Sequence, residues 1–283
     1  MSDLVALFKQ TYSEWSHDKA SRLAAAMAYY AMFSLAPLLV VAVQLLAVGL
    51  GGQDAAHRAL HSQIAQIAGP GVSKALDGIV KAQEQHHGQG VIASVISWAL
   101  LLLGALGAFG TLQDALNTIW RAPEVTGFNL KRMLRDRATS FLMVLVIAIL
   151  LFAMVLASSL IVTLASHVTL LAHPIVVALL NAVITGAVGT VLFAAIYKYL
   201  PDTTVKWGDT WHGAILTAIL FVIGQYLLAW YLGRAATASV YGAAGSLVVV
   251  LLWLYYTAQI FFFGAEFTRI SAERRGKTSA RLA

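Results

Sequence analysis

Apolar residues run along this chain in long blocks separated by short polar stretches. Six blocks reach the length of about 20 residues that a helix needs to cross the hydrocarbon core of a bilayer. They cover residues 24–50, 91–110, 139–165, 175–200, 211–232 and 243–267. The runs are continuous, without the period-two alternation of barrel strands, so each predicts a transmembrane helix. Between the first two blocks the pattern changes to helical spacing: Leu60, Ile64 and Ile67, then Leu76, Ile79 and Val80. Gly69-Pro70-Gly71 separates these sets, which predicts two short amphipathic helices over 54–67 and 72–85, lying on the outer membrane face or capping the bundle. Residues 112–120 and 128–137 read as helical extensions interrupted by Pro123 and Gly127. The fold class expected is therefore all-α: one domain, a bundle of six transmembrane helices with short amphipathic helices on both sides.

Composition agrees with this pattern and excludes other classes. Hydrophobic residues make up 59% of the 283 residues and charged residues 11%. Soluble domains have about 45–50% and about 25%, so a soluble enzyme and a disordered chain are both excluded. Cysteine is absent, which excludes disulfides, thiol catalysis and Cys-ligated metals. Residues 1–22 are polar and amphipathic, with no short apolar core and no small-residue cleavage site. The first span is therefore expected to act as an uncleaved anchor.

The excess of cations matters through its placement. Lys9, Lys19 and Arg22, the basic residues of the second and fourth loops, and those of the tail at 268–283 make fifteen on one side. Arg58, Lys74, Lys81 and Arg234 make four on the other. The positive-inside rule then puts both termini in the cytoplasm, as an even number of spans also requires. The chain is expected in a bacterial inner membrane, with 51–90 as its periplasmic helical loop.

Polar residues within the spans are the candidates for function, because lipid penalises them. They are Gln44, Asn181, Gln225 and Gln259, with Glu266 near the cytoplasmic end of the last span. The amides suit either interhelical hydrogen bonds or the lining of a polar cavity. Glu266 suits either an ion pair with Arg121 or an arginine of 132–137, or a coupling role. The segment Tyr241-Gly242-Ala243-Ala244-Gly245-Ser246 opens the last span as a tight turn or as an unwound entry exposing backbone groups. Gly104, Gly107 and Gly110 give the second span a narrow face, and Gly186 and Gly189 do so in the fourth. His57 and His61, at i and i+4, lack the acid or cysteine partners of a metal site. No metal and no cofactor are expected. The basic residues are those that topology demands, so anionic lipid headgroups are the expected partner and nucleic acid is not.

Several segments carry a family resemblance. They are Ala24-Ala25-Ala26-Met27-Ala28-Tyr29-Tyr30 with Ser34-Leu35-Ala36-Pro37-Leu38, then Ala115-Leu116-Asn117-Thr118-Ile119-Trp120-Arg121. Tyr199-Leu200-Pro201, Tyr241-Gly242 and Gly264-Ala265-Glu266 follow. In this order and spacing they resemble the YihY/BrkB family of bacterial inner-membrane proteins, over roughly residues 15–270. Many members carry an acid and a base in the fifth span, where this chain has Ile223 and Gln225. The resemblance brings a ribonuclease BN label, a link to virulence, and a link to movement of envelope lipids. Asp114, Glu124 and Asp136 lack the spacing of a phosphodiester-cleaving metal cluster, so no enzymatic activity is expected. The reading that follows is a protein that binds and translocates, or hands on, an anionic amphiphilic lipid. Arg121, Arg132 and Arg135 would collect the headgroup. Gln44, Asn181, Gln225, Gln259 and the segment with Tyr241, Gly242, Gly245 and Ser246 would line the route, with Glu266 at its inner end. The alternative is a membrane adaptor docking a periplasmic lipid-transfer protein through 51–90; a membrane-tethered ribonuclease is a minor one.

Overall fold

A computed structural model describes residues 2–50, 52–68, 70–85, 90–123, 173–235 and 245–282. The predicted span 139–165 lies outside them, as do the inner extension 128–137 and Tyr241 and Gly242. Among the described residues there are eight helices and no strand: α1 Ser2–His17, α2 Ala20–Leu50, α3 Gln53–Ala68, α4 Pro70–Gln85, α5 Gly90–Ile119, α6 Pro174–Tyr199, α7 Trp207–Ala235 and α8 Gly245–Leu282.

Element boundaries follow local chemistry. Pro174 begins α6 at a position where its missing N–H costs nothing, and the His173 ring accepts from the Ile175 N–H at 3.3 Å. Pro201 follows the C-cap Leu200 and stops the helix. Helix α8 runs past the predicted span end at 267 and through the tail residues to Leu282. Arg269 bonds Glu266 and Glu273 at i−3 and i+4 along one face, the spacing that supports a helix where the apolar pattern ends.

Three of these helices are long and apolar enough to cross a membrane: Ile175–Tyr199, Trp207–Leu228 and Leu247–Gly276, with mean hydropathies of 2.3, 1.6 and 1.9. Helices also occupy the first two predicted spans, as α2 and α5. Exposed apolar residues recur every fourth position, at Ile175, Leu179 and Val183 in α6 and at Ile215, Ile219, Ile223 and Leu227 in α7. Such stripes are stable where the surrounding solvent is hydrocarbon.

The chain forms two compact units. Unit 1 comprises residues 1–20, 113–222 and 260–283; unit 2 comprises 21–112 and 223–259. In unit 2 the buried cluster is Leu39, Val72, Ala75, Leu76 and Val250, with Leu60 and Ile64 packed on it. The α3–α4 hairpin therefore turns its apolar face into the core and its polar positions Asp54, Arg58 and Lys74 outward. Ser73 Oγ donates to the His61 carbonyl at 3.0 Å and His61 meets Asp77 at 3.1 Å, tying its arms together. Gly104 and Gly107 allow α5 to touch α2. A Cβ on Gly104 would lie 2.6 Å from the Ser34 nitrogen, and one on Gly107 would enter the Tyr30 ring. Gly186 and Gly189 sit at ordinary van der Waals distance from their neighbours, and Gly110 faces open space.

Unit 1 is joined by polar groups. Thr217 and Thr268 each donate to the carbonyl four residues earlier, Gly213 and Gly264, both at 2.7 Å. The two pairs pack reciprocally: a Cβ on Gly213 would strike Thr268 and the Gly264 carbonyl, and one on Gly264 would strike Thr217. The fully buried Tyr197 hydroxyl donates to the Phe261 carbonyl at 2.7 Å and lies 2.9 Å from Thr217 Oγ1. Phe8 of α1 packs on Phe263 and Phe267 of α8.

Candidate functional site

The densest chemistry in unit 1 is an ion network where α1, the end of α5 and α8 meet. Helix α5 ends in a Schellman motif: the Ala122 N–H bonds the Asn117 carbonyl and the Arg121 N–H bonds that of Thr118. The residue at the left-handed position of this motif is usually glycine. Here it is Arg121, with φ 51, a conformation that costs a side-chain-bearing residue about 1 kcal/mol. That backbone aims the guanidinium at α1. Arg121 Nη1 meets Asp18 Oδ1 at 2.8 Å and Nη2 meets Glu14 Oε2 at 2.9 Å. Glu14 Oε2 also accepts from Arg269 at 3.0 Å, so one carboxylate oxygen bridges two arginines. Arg269 in turn bonds Glu266 at 3.0 Å and Glu273 at 2.7 Å.

Glu266 is fully buried. Among the described residues its ion-pair partner is Arg269, one turn further along its own helix, and Arg121 is engaged elsewhere; the arginines of 132–137 lie outside those residues. The sequence could not rank these partners, since i,i+3 proximity competes with unknown long-range proximity. Arg121 is instead engaged by the two acids of α1. Burial raises the Asp18 carboxyl, but hydrogen bonds with Glu266, Arg121 and His17, together with the Arg121 charge, outweigh it and hold the group below its usual range. Burial likewise works against the Arg121 cation, and Asp18 and Glu14 more than restore it.

A second joint links the motif at 115–121 to the residue that follows Tyr199-Leu200-Pro201. Asn117 Nδ2 donates to Asp202 Oδ2 and the Asp202 N–H donates to Asn117 Oδ1, both at 2.8 Å. The Lys198 ammonium donates to the Val205 carbonyl beside it. The half-buried Asn117 joint and the reciprocal Gly–Thr packing were not foreseen. Their signals were the small-x-x-x-small spacings Gly213–Thr217 and Gly264–Thr268, and an Asn two residues before the end of α5.

The remaining predicted site residues are spread over several helices. Arg132 and Arg135 lie outside the described residues, as do Tyr241 and Gly242. Gln44 is in α2, and Gly245 and Ser246 begin α8, the four residues before them in that segment lying outside the described residues. Asn181, Gln225 and Gln259 are half-buried in α6, α7 and α8. The side-chain oxygens of Asn181 and Gln259 are buried without a hydrogen-bond donor among the described residues. Among those residues no group of three or more His, Asp or Glu is placed to hold a metal ion.

Long apolar helices with exposed aliphatic stripes define an integral membrane protein, and the comparisons agree. The family described as Virulence factor BrkB matches residues 11–282, and the chain belongs to it. A UPF0761 membrane protein of Rhodospirillum centenum is 27% identical over 98% of this chain and 60% of its own length. One from Verminephrobacter eiseniae is 31% identical over 60% of this chain and 40% of its own. One from Mannheimia succiniciproducens is 24% identical over 97% of this chain and 92% of its own. The chain thus spans only about half the length of several curated relatives it matches. No solved structure matches.

Proposed function

We propose that the protein is a six-span bacterial inner-membrane protein, both termini cytoplasmic, that binds an anionic amphiphilic lipid and translocates it or hands it on, without a cofactor or enzymatic step. The observation that carries this reading is the pair of donorless amide oxygens, Asn181 and Gln259, in helices long and apolar enough to span. An unsatisfied buried acceptor costs about 1–3 kcal/mol. A headgroup hydroxyl or amine passing along the helix supplies the missing donor. Arg121 is already held by two carboxylates, so headgroup capture falls to Arg132, Arg135 and the exposed Lys9, Lys19 and Lys206. The ring cluster of Tyr199, Trp207 and Trp211 suits the headgroup level.

Reconstitution in liposomes with a fluorescent anionic phospholipid tests this. The expected result is accelerated flip-flop, reduced about fivefold to tenfold by Asn181→Leu or Gln259→Leu, the kinetic equivalent of about one hydrogen bond. No acceleration, together with no lipid co-purifying with the protein, overturns it. The adaptor reading rests on the α3–α4 hairpin, whose apolar face is used internally and whose charged positions face outward. Reversing the charges of Asp54, Arg58 and Lys74 separates the two: an adaptor loses a periplasmic lipid-transfer partner, whereas a self-contained transporter keeps its flip-flop rate.

A further inference from the structure

The ion network holds more acid than base. Glu14 and Asp18 face it from α1 and the turn that follows, with His17 beside Asp18 at 3.1 Å on the exposed edge. Arg121 faces it from the end of α5, and Glu266, Arg269 and Glu273 from α8. Among the described residues, four carboxyl groups thus surround two guanidinium groups.

Asp18 and Glu266 are the two most deeply buried of these acids, with side chains 2% and 0% exposed. Their carboxyl groups are within hydrogen-bond contact of each other. Asp18 spends Oδ1 on Arg121 and His17, and Glu266 spends Oε2 on Arg269. The other oxygen of each, Asp18 Oδ2 and Glu266 Oε1, is buried and receives no donor from any described residue. Ionised carboxylates only accept. Two of them in buried contact repel, whereas one proton turns the contact into a short, charge-assisted O–H···O⁻ bond.

We propose that Asp18 and Glu266 bind a single proton between them, and that this proton fastens α1 to α8 as a pH-sensitive clasp. Glu266 is the more deeply buried of the two and Asp18 Oδ1 faces both Arg121 and His17, so Asp18 is the acceptor and the proton resides on Glu266 and points at Asp18. When it leaves, the cluster passes from three negative charges against two positive to four against two, at a place shielded from water. The repulsion falls on the α1–α8 contact. This inference is independent of the lipid reading: a clasp can serve a transporter or an adaptor alike.

The sign of the linkage follows. The folded chain holds a proton that the unfolded chain has released at neutral pH, so stability falls as pH rises through its release. The test uses the full chain in lipid nanodiscs. Infrared difference spectra read the protonated-carboxyl band, and thermal unfolding reads stability from mildly acidic to mildly alkaline pH. The wild type should show one such band that disappears on alkalinisation, with a parallel loss of melting temperature. Glu266→Gln supplies a neutral donor in the same place, so it should lack the band and give a flat melting profile over that range. Asp18→Asn, which hands a donor to Glu266 from the other side, should also flatten the profile and serves if the first variant fails to fold. A wild type without a protonated-carboxyl band, or variants retaining the wild-type pH dependence, overturns the proposal.

Discussion

Side chains of similar depth differ in kind between the two units. In unit 2 they are mainly apolar, Leu39, Val72, Leu76 and Val250 among them, with Ser34 and Ser73 beside them. In unit 1 they include Glu266, Arg269, Thr210, Thr217, Thr268 and Tyr197. The contrast follows from the solvent each region works against. Lipid is as apolar as leucine, so apolar side chains alone give little drive for helices to associate within a bilayer. Unit 1 joins its long helices by close backbone approach and by hydrogen bonds, which remain favourable there. Unit 2 includes the amphipathic hairpin α3–α4, whose polar positions are exposed, and for such a piece burying Val72 and Leu76 retains its ordinary worth.

The sharpest way to break this contrast is to remove one group from each side. At alkaline pH, where the proton shared with Asp18 has left, Arg269→Ala leaves the Glu266 carboxylate buried without its ion-pair partner and should cost about 3–5 kcal/mol. Leu76→Ala opens a cavity in the aliphatic cluster and should cost about 2–5 kcal/mol. Denaturant midpoints in one mild detergent measure both. The second substitution Glu266→Gln separates their causes. It should recover much of the Arg269→Ala loss, because the stranded charge is gone, and should recover none of the Leu76→Ala loss. Equal behaviour of the two would mean that unit 1 is held by packing after all.

Legibility divides along the same line. Long apolar blocks and helical periodicity placed α2, α5, α6, α7 and α8 and both arms of the hairpin within a few residues, because lipid and core burial write themselves into composition. The end of α8 was missed. Its last turns are stabilised by charge pairs at helical spacing, which an apolar pattern does not register. The ion network was legible only in part. Glu266 stood out as the one acid well inside an apolar block, but Asp18, which it meets, and Glu14, which bonds its partner Arg269, lie in a segment that read as merely polar, more than 240 residues away. Nothing in the sequence near Arg121 signals a left-handed backbone, since the position normally advertises itself with glycine.

A smaller effect is expected at the Asn117 joint. Asn117→Ala removes two hydrogen bonds to Asp202 and should cost about 1–3 kcal/mol. Asn117→Asp tests whether the joint is a matter of geometry alone. It keeps the shape but replaces the Nδ2 donor with an oxygen facing Asp202, so like charges meet. If the joint is polar in the way unit 1 is, the aspartate should be less stable than the alanine at neutral pH in the same midpoint measurement.

The smallest expected change is at Arg121, where backbone and side chain pull in opposite directions. Arg121→Gly relieves the left-handed backbone by about 1 kcal/mol and loses the half-exposed Glu14 pair, worth about 0–1 kcal/mol, while the buried Asp18 keeps its His17 and Glu266 contacts. The two nearly cancel. Arg121→Ala loses the same ion pairs and keeps the strain, so it should unfold about 1 kcal/mol more easily than the glycine variant. Both variants should also lose part of their acid sensitivity. A carboxyl held below its ordinary value of 3.8 in the folded chain gives stability that is present above that value and lost as pH falls through the folded one, and Arg121 is among the groups that hold Asp18 there. A glycine variant much weaker than the wild type would mean that the Arg121 ion pairs outweigh the backbone cost, and that the end of α5 is fastened to α1 as firmly as α8 is.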